Sequence, residues 1–176
     1  SFPVGDLMGE ATAFTLELWL RPDGNYEAGI HYFEGGGNSD YSLEGLRLTP
    51  NWYINNSFAG RVSLWDQTWQ HLAFVYDGTL GEARIYQNGT EVSYETGVPG
   101  AINDISTFFL GSRGGVTRFA DADFQELVMF DRALTAMEVY DHYNASFGAS
   151  AGVPEPGTFI LVLLGASLLM AIRRRN

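Results

Sequence analysis

The stretch from Trp69 to Val92, WQHLAFVYDGTLGEARIYQNGTEV, decides the fold of this chain of 176 residues. Apolar side chains occupy both parities of Gln70 to Asp77, which is typical of a β-strand covered on both faces. Ala83 to Gln87 predicts another strand, and Asn88-Gly89 supplies the positive φ angles of a two-residue hairpin turn. The stretch therefore predicts antiparallel β-structure, with its first strand deep in the core.

Other strands are predicted on both sides of this stretch. Apolar and polar residues alternate from Phe14 to Arg21, which predicts a strand with one face in the core. Further strands are predicted from Ala28 to Phe33, from Tyr41 to Leu48 and from Phe124 to Phe130. The glycine-rich segment from Gly35 to Asp40 leads into a strand rather than a helix, so we interpret it as an ordinary loop and not as a phosphate site.

These segments resemble one known family. Trp69-x-His71-x-Ala73-x-Val75-Tyr76-Asp77-Gly78, followed by Ile85-Tyr86-x-Asn88-Gly89, looks like the central block of laminin-G-like, concanavalin A-like and pentraxin-like jelly-roll domains. The other matching segments are Phe14-Thr15 with Trp19 and Pro22, Leu110-Gly111-Ser112, Asp123 to Val128, and Phe130 to Ala136 with Glu138. The resemblance implies an all-β, antiparallel two-sheet jelly-roll sandwich over residues 1–147, with one short helix. Lectins, glycanases and adhesion modules share this fold, so the function needs separate evidence.

Composition and charge exclude several classes of protein. The chain has no cysteine, which excludes disulfides, thiol chemistry and cysteine-containing zinc motifs. Its net charge is -11, and all ten basic residues are arginines, three of them at Arg173 to Arg175. Residues 1–152 thus carry seven arginines against twenty acidic residues. Such a surface repels phosphate backbones, and we expect no nucleic-acid partner.

The segment from Asn51 to Asn56, rich in aromatic and amide side chains, is the candidate ligand-binding site. Its members are Trp52, Tyr53, Asn55 and Asn56, with Trp65 as a weaker candidate. Aromatic faces stack on the apolar faces of pyranose rings, and amide groups both donate to and accept from sugar hydroxyls. The alternative is a strand with Trp52 or Tyr53 in the core and a polar asparagine turn after it.

An acidic segment near residue 121 raises the possibilities of catalysis and of calcium binding. Asp121 to Glu126 resembles the Glu-x-Asp-x-x-Glu motif of retaining glycoside hydrolases, but an aspartate replaces the first glutamate. That side chain is a methylene shorter, and laminin-G-like domains often carry an acidic pair here, so we expect no enzyme. Asp104, Asp121 and Asp123 are weak candidates for a structural calcium ion, with solvated acidic loops as the alternative. We expect no other cofactor.

The histidines are not predicted to bind metal. His71 lies within a strand predicted to be buried, without carboxylate or histidine neighbours at ligand spacing, so we interpret it as a hydrogen-bonded core residue. His31 and His142 have no better-spaced partners.

A short helix is predicted after the last strand. Thr135 and Glu138 have the spacing of a capping box, in which hydroxyl and carboxylate reach the free backbone donors of a helix start. We expect the helix to end near Asn144 and to pack on the sandwich through Leu134, Met137 and Tyr140, with Tyr143 one turn further on.

The carboxyl-terminal sequence predicts a membrane anchor. Residues 148–156 form a linker that ends in Pro154-Glu155-Pro156, and the apolar run from Phe159 to Ile172 precedes Arg173, Arg174 and Arg175. This pattern resembles the PEP-CTERM sorting signal, which implies a bacterium, an exosortase and export across the inner membrane. The run rises about 21 Å against a hydrocarbon core of ~30 Å, so a transmembrane helix over residues 157–176 is short but sufficient with local thinning. The arginines should stay cytoplasmic, which places the sandwich outside.

We therefore expect a non-catalytic, extracytoplasmic binding or scaffolding domain that is tethered to the bacterial inner membrane by a single helix, with its folded part on the periplasmic side. In this hypothesis it is an accessory subunit of a membrane complex, and its partners are membrane lipid, other membrane-protein subunits and exosortase. The alternative is an exosortase-sorted carbohydrate-binding protein of the cell surface or matrix, with glycans as partners.

Overall fold

The computed structural model describes residues 2–3, 11–23, 28–35, 41–102 and 107–148. Residues 1–143 make up one compact unit and residues 144–176 a second, of which 144–148 are described. The elements, in chain order, are β1 (Phe2–Pro3), β2 (Ala13–Pro22), β3 (Ala28–Gly35), β4 (Tyr41–Leu46), β5 (Thr49–Ile54), β6 (Ser57–Arg61), β7 (Gln70–Asp77), β8 (Glu82–Gln87), β9 (Thr90–Thr96), β10 (Thr107–Leu110), β11 (Ala122–Phe130) and α1 (Ala136–Gly148).

The strands form two antiparallel sheets. The first sheet has six strands in the order β1-β10-β3-β4-β5-β6, and the second has five in the order β11-β2-β7-β8-β9. Each described strand pair is antiparallel. The predicted all-β, antiparallel two-sheet sandwich with one short helix is confirmed.

The main core lies between the two sheets. From β2, the side chains of Phe14, Leu16, Leu18 and Leu20 enter this core and are at most 1% exposed, which confirms the alternation predicted for this strand. From β7, Leu72, Phe74 and Tyr76 enter the same core. Burial of these apolar side chains is the main favourable contribution to folding.

The other face of β7 lies under the start of α1. Ala73 and Val75 form a second apolar cluster with Tyr86, Leu134 and Val139. Because both faces of β7 are covered, apolar side chains occur on both of its parities, as the sequence predicts.

The connection into α1 is held by polar contacts. Thr15 Oγ1, which is fully buried, accepts from the backbone N–H of Leu134 at 3.0 Å and donates to the carbonyl of Arg132 at 2.9 Å. The predicted capping box is confirmed, because Thr135 N donates to Glu138 Oε2 at 2.8 Å and Glu138 N donates to Thr135 Oγ1 at 3.3 Å. The helix end lies four residues beyond the predicted Asn144, at Gly148.

The packing predicted for the helix was partly wrong. Leu134 is buried, but Met137 is 67% exposed and Tyr140 is 49% exposed, whereas Val139 is fully buried. Leu134 lies before the first residue of the helix, so the helical spacing of 3.6 residues per turn cannot be counted from it. At 100° per residue, Met137 lies on the opposite side of the helix from Val139.

Tight turns divide the chain more finely than predicted. The predicted strand from Tyr41 to Leu48 is a hairpin instead, because Arg47 and Leu48 form a turn between β4 and β5. Asn55 and Asn56 adopt φ of 47° and 59° and form a second turn, into the unpredicted strand β6. The Asn88-Gly89 turn, with φ of 52° and 74°, is confirmed.

Among the described residues, no helix has both the length and the apolarity needed to cross a lipid bilayer. Apart from Gly148, the predicted linker over residues 148–156 lies outside these residues, as does the whole predicted span over residues 157–176.

Candidate functional site

Two rows of side chains cross the outer face of the six-stranded sheet, the face that points away from the inter-sheet core. The charged row is His31, Glu44, Asn51 and Arg61, which pair in register from β3 to β6. The aromatic row is Phe109, Glu34, Ser42, Tyr53 and Phe58, which pair in register from β10 to β6. Residues far apart in sequence thus share one face of the sheet.

Two β-bulges bring the rows into line. In β3, Tyr32 and Phe33 both enter the core, so that His31 and Glu34 both face outward although they are three residues apart. In β6, Ala59 and Gly60 are both buried, and Phe58 and Arg61 face outward in the same way. Simple alternation would have placed one member of each outward pair in the core.

The outer face is closed at one end and open at the other. His31, Glu34 and Ser42 are at most 2% exposed. The loop from Gly111 to Arg118 contacts this end, because Gly114 N donates to Glu34 Oε2 at 2.7 Å and His31 N donates to the Arg118 carbonyl at 2.9 Å. Exposure increases across the sheet, and Phe58 at the far edge is 44% exposed. A ligand would therefore reach the face from the β5 and β6 side.

Hydrogen bonds link the two rows at the open end. Arg61 Nε donates to Asn51 Oδ1 at 2.7 Å, and Asn51 Nδ2 donates to the Tyr53 hydroxyl at 3.0 Å. The rings of Tyr53 and Phe58 meet edge to face, with their centroids 6.3 Å apart. These contacts hold a guanidinium, an amide and two aromatic rings in a defined arrangement.

A buried histidine–carboxylate contact occupies the closed end. His31 Nε2 lies 2.5 Å from Glu44 Oε2, and Arg118 Nη1 lies 3.4 Å from the same ring nitrogen. Burial lowers the pKa of His31, and the charges of Arg118 and Arg113 lower it further against the opposing effect of Glu44. The imidazole is therefore neutral near pH 7 and donates its Nε2–H to Glu44.

Two buried polar atoms of this face have no hydrogen-bond partner within the described part of the chain. They are Nδ1 of His31 and Oγ of Ser42. A buried polar group without a partner costs about 1–3 kcal/mol, so such atoms are few in folded proteins and often mark functional sites.

The structure separates the aromatic candidates of the sequence. Tyr53 is half-buried and belongs to the aromatic row. Trp52 is fully buried and packs against Tyr41 and Phe74, with ring centroids 6.0 Å and 5.4 Å away. Because Trp52 has no accessible ring face, its proposed role in sugar stacking was wrong, and the alternative of a core position is correct for this residue. Trp65 is 54% exposed but lies outside both rows.

The two asparagine candidates form a turn. Asn55 and Asn56 connect β5 to β6 with left-handed backbone angles, and Asn55 Nδ2 donates to the carbonyl of Ala101 at 2.6 Å. The alternative of a polar asparagine turn therefore describes this segment. Asn51, the first residue of the same segment, is the amide that lies on the outer face.

The acidic candidates lie elsewhere, on or next to β11 at the edge of the second sheet. Asp123 is ion-paired with Arg21, whose Nε donates to Asp123 Oδ2 at 2.8 Å. Asp121 is exposed, and Glu126 is exposed within a β-bulge at φ 50°. Asp104 lies outside the described residues. The described part of the chain has no group of three metal-type side chains, and calcium at Asp104, Asp121 and Asp123 stays a prediction.

The other two histidines lie where α1 packs on the second sheet, with His71 in β7 and His142 in α1 itself. His71 is 3% exposed, between the rings of Trp19 and Tyr143, and its Nδ1 has no partner among the described residues, so the predicted hydrogen bond is not found for this nitrogen. His142 Nδ1 lies 2.9 Å from Glu17 Oε2. Burial raises the pKa of Glu17, and the contact with His142 offsets only part of this effect.

A groove of about 350 Å³ lies on the outer face of the second sheet beside the start of α1. Its central residue is Arg84, which donates to Glu82 at 2.8 Å and to Glu91 at 2.9 Å and stacks on the Tyr94 ring at 4.1 Å. Arg84, Glu82 and Glu91 of this groove are therefore already engaged with one another, whereas the outer face of the first sheet keeps an accessible guanidinium and accessible rings.

Similar solved structures share the fold at low sequence identity. A pentraxin from Limulus polyphemus has a TM-score of 0.62 and 19% identity, covering 76% of this chain and 70% of its own. The receptor-binding domain of botulinum neurotoxin type G has a TM-score of 0.65 and 17% identity, covering 77% and 38% respectively. A proposed carbohydrate-binding protein from Bacteroides ovatus has a TM-score of 0.63 and 20% identity, covering 80% and 42%.

This chain thus spans less than half the length of two of these three structures. Comparison with curated protein sequences gave no match. A Laminin_G_3 family model, described as concanavalin A-like lectin/glucanases superfamily, matches residues 1–140. Together with the two antiparallel sheets, this match places the chain in the concanavalin A-like lectin/glucanases superfamily, to whose laminin-G-like jelly-roll domains it belongs.

Proposed function

We propose that this domain is a non-catalytic glycan-binding module whose ligand lies along the outer face of the six-stranded sheet. One observation carries the proposal: the accessible rings of Tyr53 and Phe58 lie beside the Asn51 amide, which is itself fixed by Arg61. A sugar ring needs an aromatic face for its C–H groups and oriented polar groups for its hydroxyls, and this surface supplies both.

The family and its structural neighbours support the class of ligand. The superfamily includes lectins and glucanases, and one neighbour with the same fold is described as a proposed carbohydrate-binding protein. The identities are at most 20%, so the choice of site rests on the residues of this chain rather than on correspondence with these proteins.

The non-catalytic part of the proposal rests on the placement of the acids. The glycosidase-like acids Asp121, Asp123 and Glu126 lie on or beside the edge strand of the second sheet, where Asp123 is held by Arg21. On the proposed face, Glu44 is engaged by His31 and Glu34 accepts from Gly114 N. Retaining hydrolysis needs two carboxyl groups about 5–5.5 Å apart around an accessible bond, and these acids do not form such a pair on the open part of the face.

We further propose that the domain is displayed outside the bacterial inner membrane on a C-terminal anchor. This part rests on sequence: the Pro154-Glu155-Pro156 box, the apolar run and Arg173 to Arg175 resemble a PEP-CTERM signal. The anchor would bring the domain to membrane lipid and exosortase. A tether outside the cell suits a glycan-binding surface, because extracellular polysaccharide is then within reach.

Replacing Tyr53 by alanine in the full chain is expected to weaken glycan binding about tenfold, because one stacked ring contributes roughly 0.5–1.5 kcal/mol beyond its buried area. A glycan array would identify the ligand, and calorimetry in mild detergent, with and without EDTA, would measure its affinity. Tyr94→Ala is the matched control, since Tyr94 is a 45%-exposed tyrosine on the other sheet. Equal losses in both variants, or no bound glycan on the array, would contradict the proposed site.

Mass spectrometry of the C-terminal peptide is expected to identify the sequence through Arg175 in the membrane fraction, or a chain that ends near Pro154 in the medium or matrix. The first result supports a retained anchor, and the second supports sorting with cleavage. An uncleaved chain in the soluble fraction would contradict both. Co-migration of the uncleaved chain with a large assembly in mild detergent would favour the alternative function, that of an accessory subunit of a membrane complex.

A further inference from the structure

Most arginines in the described part of this acidic chain are paired with a carboxylate, and two are not. Five of the seven arginines in the described residues contact a carboxylate: Arg21 with Asp123, Arg47 with Asp66, Arg84 with Glu82 and Glu91, Arg118 with Glu44, and Arg132 with Glu138. Arg61 and Arg113 have no carboxylate partner in this part of the chain. In a chain with twenty-one acidic residues, two unpaired guanidiniums call for an explanation.

Both unpaired arginines belong to the same side of the molecule. Arg61 ends the charged row at its open edge. Arg113 lies on the loop that covers the closed end, close enough for its charge to lower the pKa of His31. With Arg118, these residues give the described part of the outer face three guanidiniums against the carboxylates of Glu34 and Glu44. This described part is therefore locally positive on a chain whose net charge is -11.

The guanidinium of Arg61 is oriented as well as unpaired. Its Nε donates to Asn51, while its two terminal nitrogens have no acceptor among the described residues. Those nitrogens lie on the same face as Tyr53 and Phe58 and at the exposed end of the row. The edge formed by these two terminal nitrogens matches the planar, bidentate geometry of a carboxylate.

We infer that the ligand of the outer face is an acidic glycan, a polyuronate, whose ring stacks on Tyr53 and whose carboxylate is bound by Arg61. This inference rests on the proposed function and narrows it. The overall negative charge of the protein repels a polyanion, so binding needs the local positive charge that this face provides. A neutral glycan would leave the guanidinium without a charged partner.

The test compares two glycans that differ in one group, namely β-1,4-linked oligomannuronate and β-1,4-linked manno-oligosaccharide of equal length. The full chain in mild detergent should bind oligomannuronate at least tenfold more tightly. Arg61→Gln should remove that tenfold preference, because glutamine can no longer form charge-assisted hydrogen bonds to the carboxylate. Binding of oligomannuronate should also weaken with added salt, and less so in Arg61→Gln.

Arg21→Gln is the matched control. It removes the same charge from the second sheet, where Arg21 has a carboxylate partner, and should leave the affinity for oligomannuronate unchanged. Equal losses in both arginine variants, or an Arg61→Gln variant that keeps its preference, would overturn the inference. Dextran sulfate bound as tightly as oligomannuronate would also overturn it, because the face would then recognise charge alone.

The inference and the proposed function fail in different ways. Tighter binding of the neutral manno-oligosaccharide overturns the polyuronate but leaves a glycan-binding face. Binding to neither oligosaccharide overturns the polyuronate as well, and the broader glycan array then decides the proposed function independently.

Discussion

Replacing Trp52 by alanine is expected to lower the free energy of unfolding by about 4 kcal/mol, the usual cost of emptying a buried tryptophan site. Trp52 is fully buried and contacts the rings of Tyr41 and Phe74 in the core. Alanine would leave a cavity that a rigid sandwich of two sheets cannot close. Denaturant titration measures this loss as a lower midpoint concentration, provided that the dependence of the free energy on denaturant concentration is unchanged.

The adjacent residue provides the control. Tyr53 is half-buried on the outer face, so Tyr53→Ala should cost less than about 1.5 kcal/mol while it weakens glycan binding. The two neighbouring substitutions should thus have opposite signatures, with Trp52→Ala affecting stability and Tyr53→Ala affecting affinity. If Tyr53→Ala lowered the free energy of unfolding more than Trp52→Ala does, β5 would be shifted by one residue, since such a shift exchanges the two faces of a strand.

Local patterns predicted the individual strands, and the resemblance to laminin-G-like domains implied their arrangement in a two-sheet sandwich. Gln70 to Asp77 is apolar on both parities because one face meets the inter-sheet core and the other meets Leu134 and Val139. Phe14 to Leu20 alternates because its polar face carries Thr15 and Glu17, which have specific partners under α1. The capping box and the Asn88-Gly89 turn are likewise local, since every contact they need lies within four residues.

The candidate site was not predictable in the same way. Its charged row joins residues from four strands, and the register between them follows from pairing rather than from any local pattern. The two bulges further conceal it, because Tyr32-Phe33 and Ala59-Gly60 interrupt the alternation that marks an outward residue. One local signal was available in β5. Trp52 and Ile54 are two residues apart and therefore point to the same face of the strand, so an apolar residue at 54 could have identified Trp52 as the inward ring and Tyr53 as the outward one.

The stability of the protein is expected to fall by about 3 kcal/mol through His71 alone as the pH decreases from 6.5 to 4. Burial, reinforced by the nearby charge of His142, lowers the pKa of His71 from 6.5 to about 4. Between these values the unfolded chain binds a proton that the folded chain does not, so the free energy of unfolding decreases as the pH falls. The full stability is present above pH 6.5, and the loss due to His71 stops increasing below about pH 4.

The geometry explains why His71 resists protonation. Its ring lies between those of Trp19 and Tyr143, and Nδ1 is buried without an acceptor in the described part of the chain. A second N–H on this ring would therefore be buried and unsatisfied, next to a second titratable ring at His142. Glu17, the carboxylate partner of His142, acts in the opposite direction, because its raised pKa stabilises the fold most at low pH.

Replacing His71 by phenylalanine isolates this contribution, because the ring contacts remain and the titrating nitrogen is removed. The free energy of unfolding of the variant, measured by denaturant titration at half-unit steps from pH 7.5 to 4, should depend much less on pH than that of the unmodified protein. The difference between the two curves should increase to about 3 kcal/mol at pH 4. Parallel curves would show that His71 titrates alike in the folded and unfolded chains, and that its burial under α1 does not govern its charge.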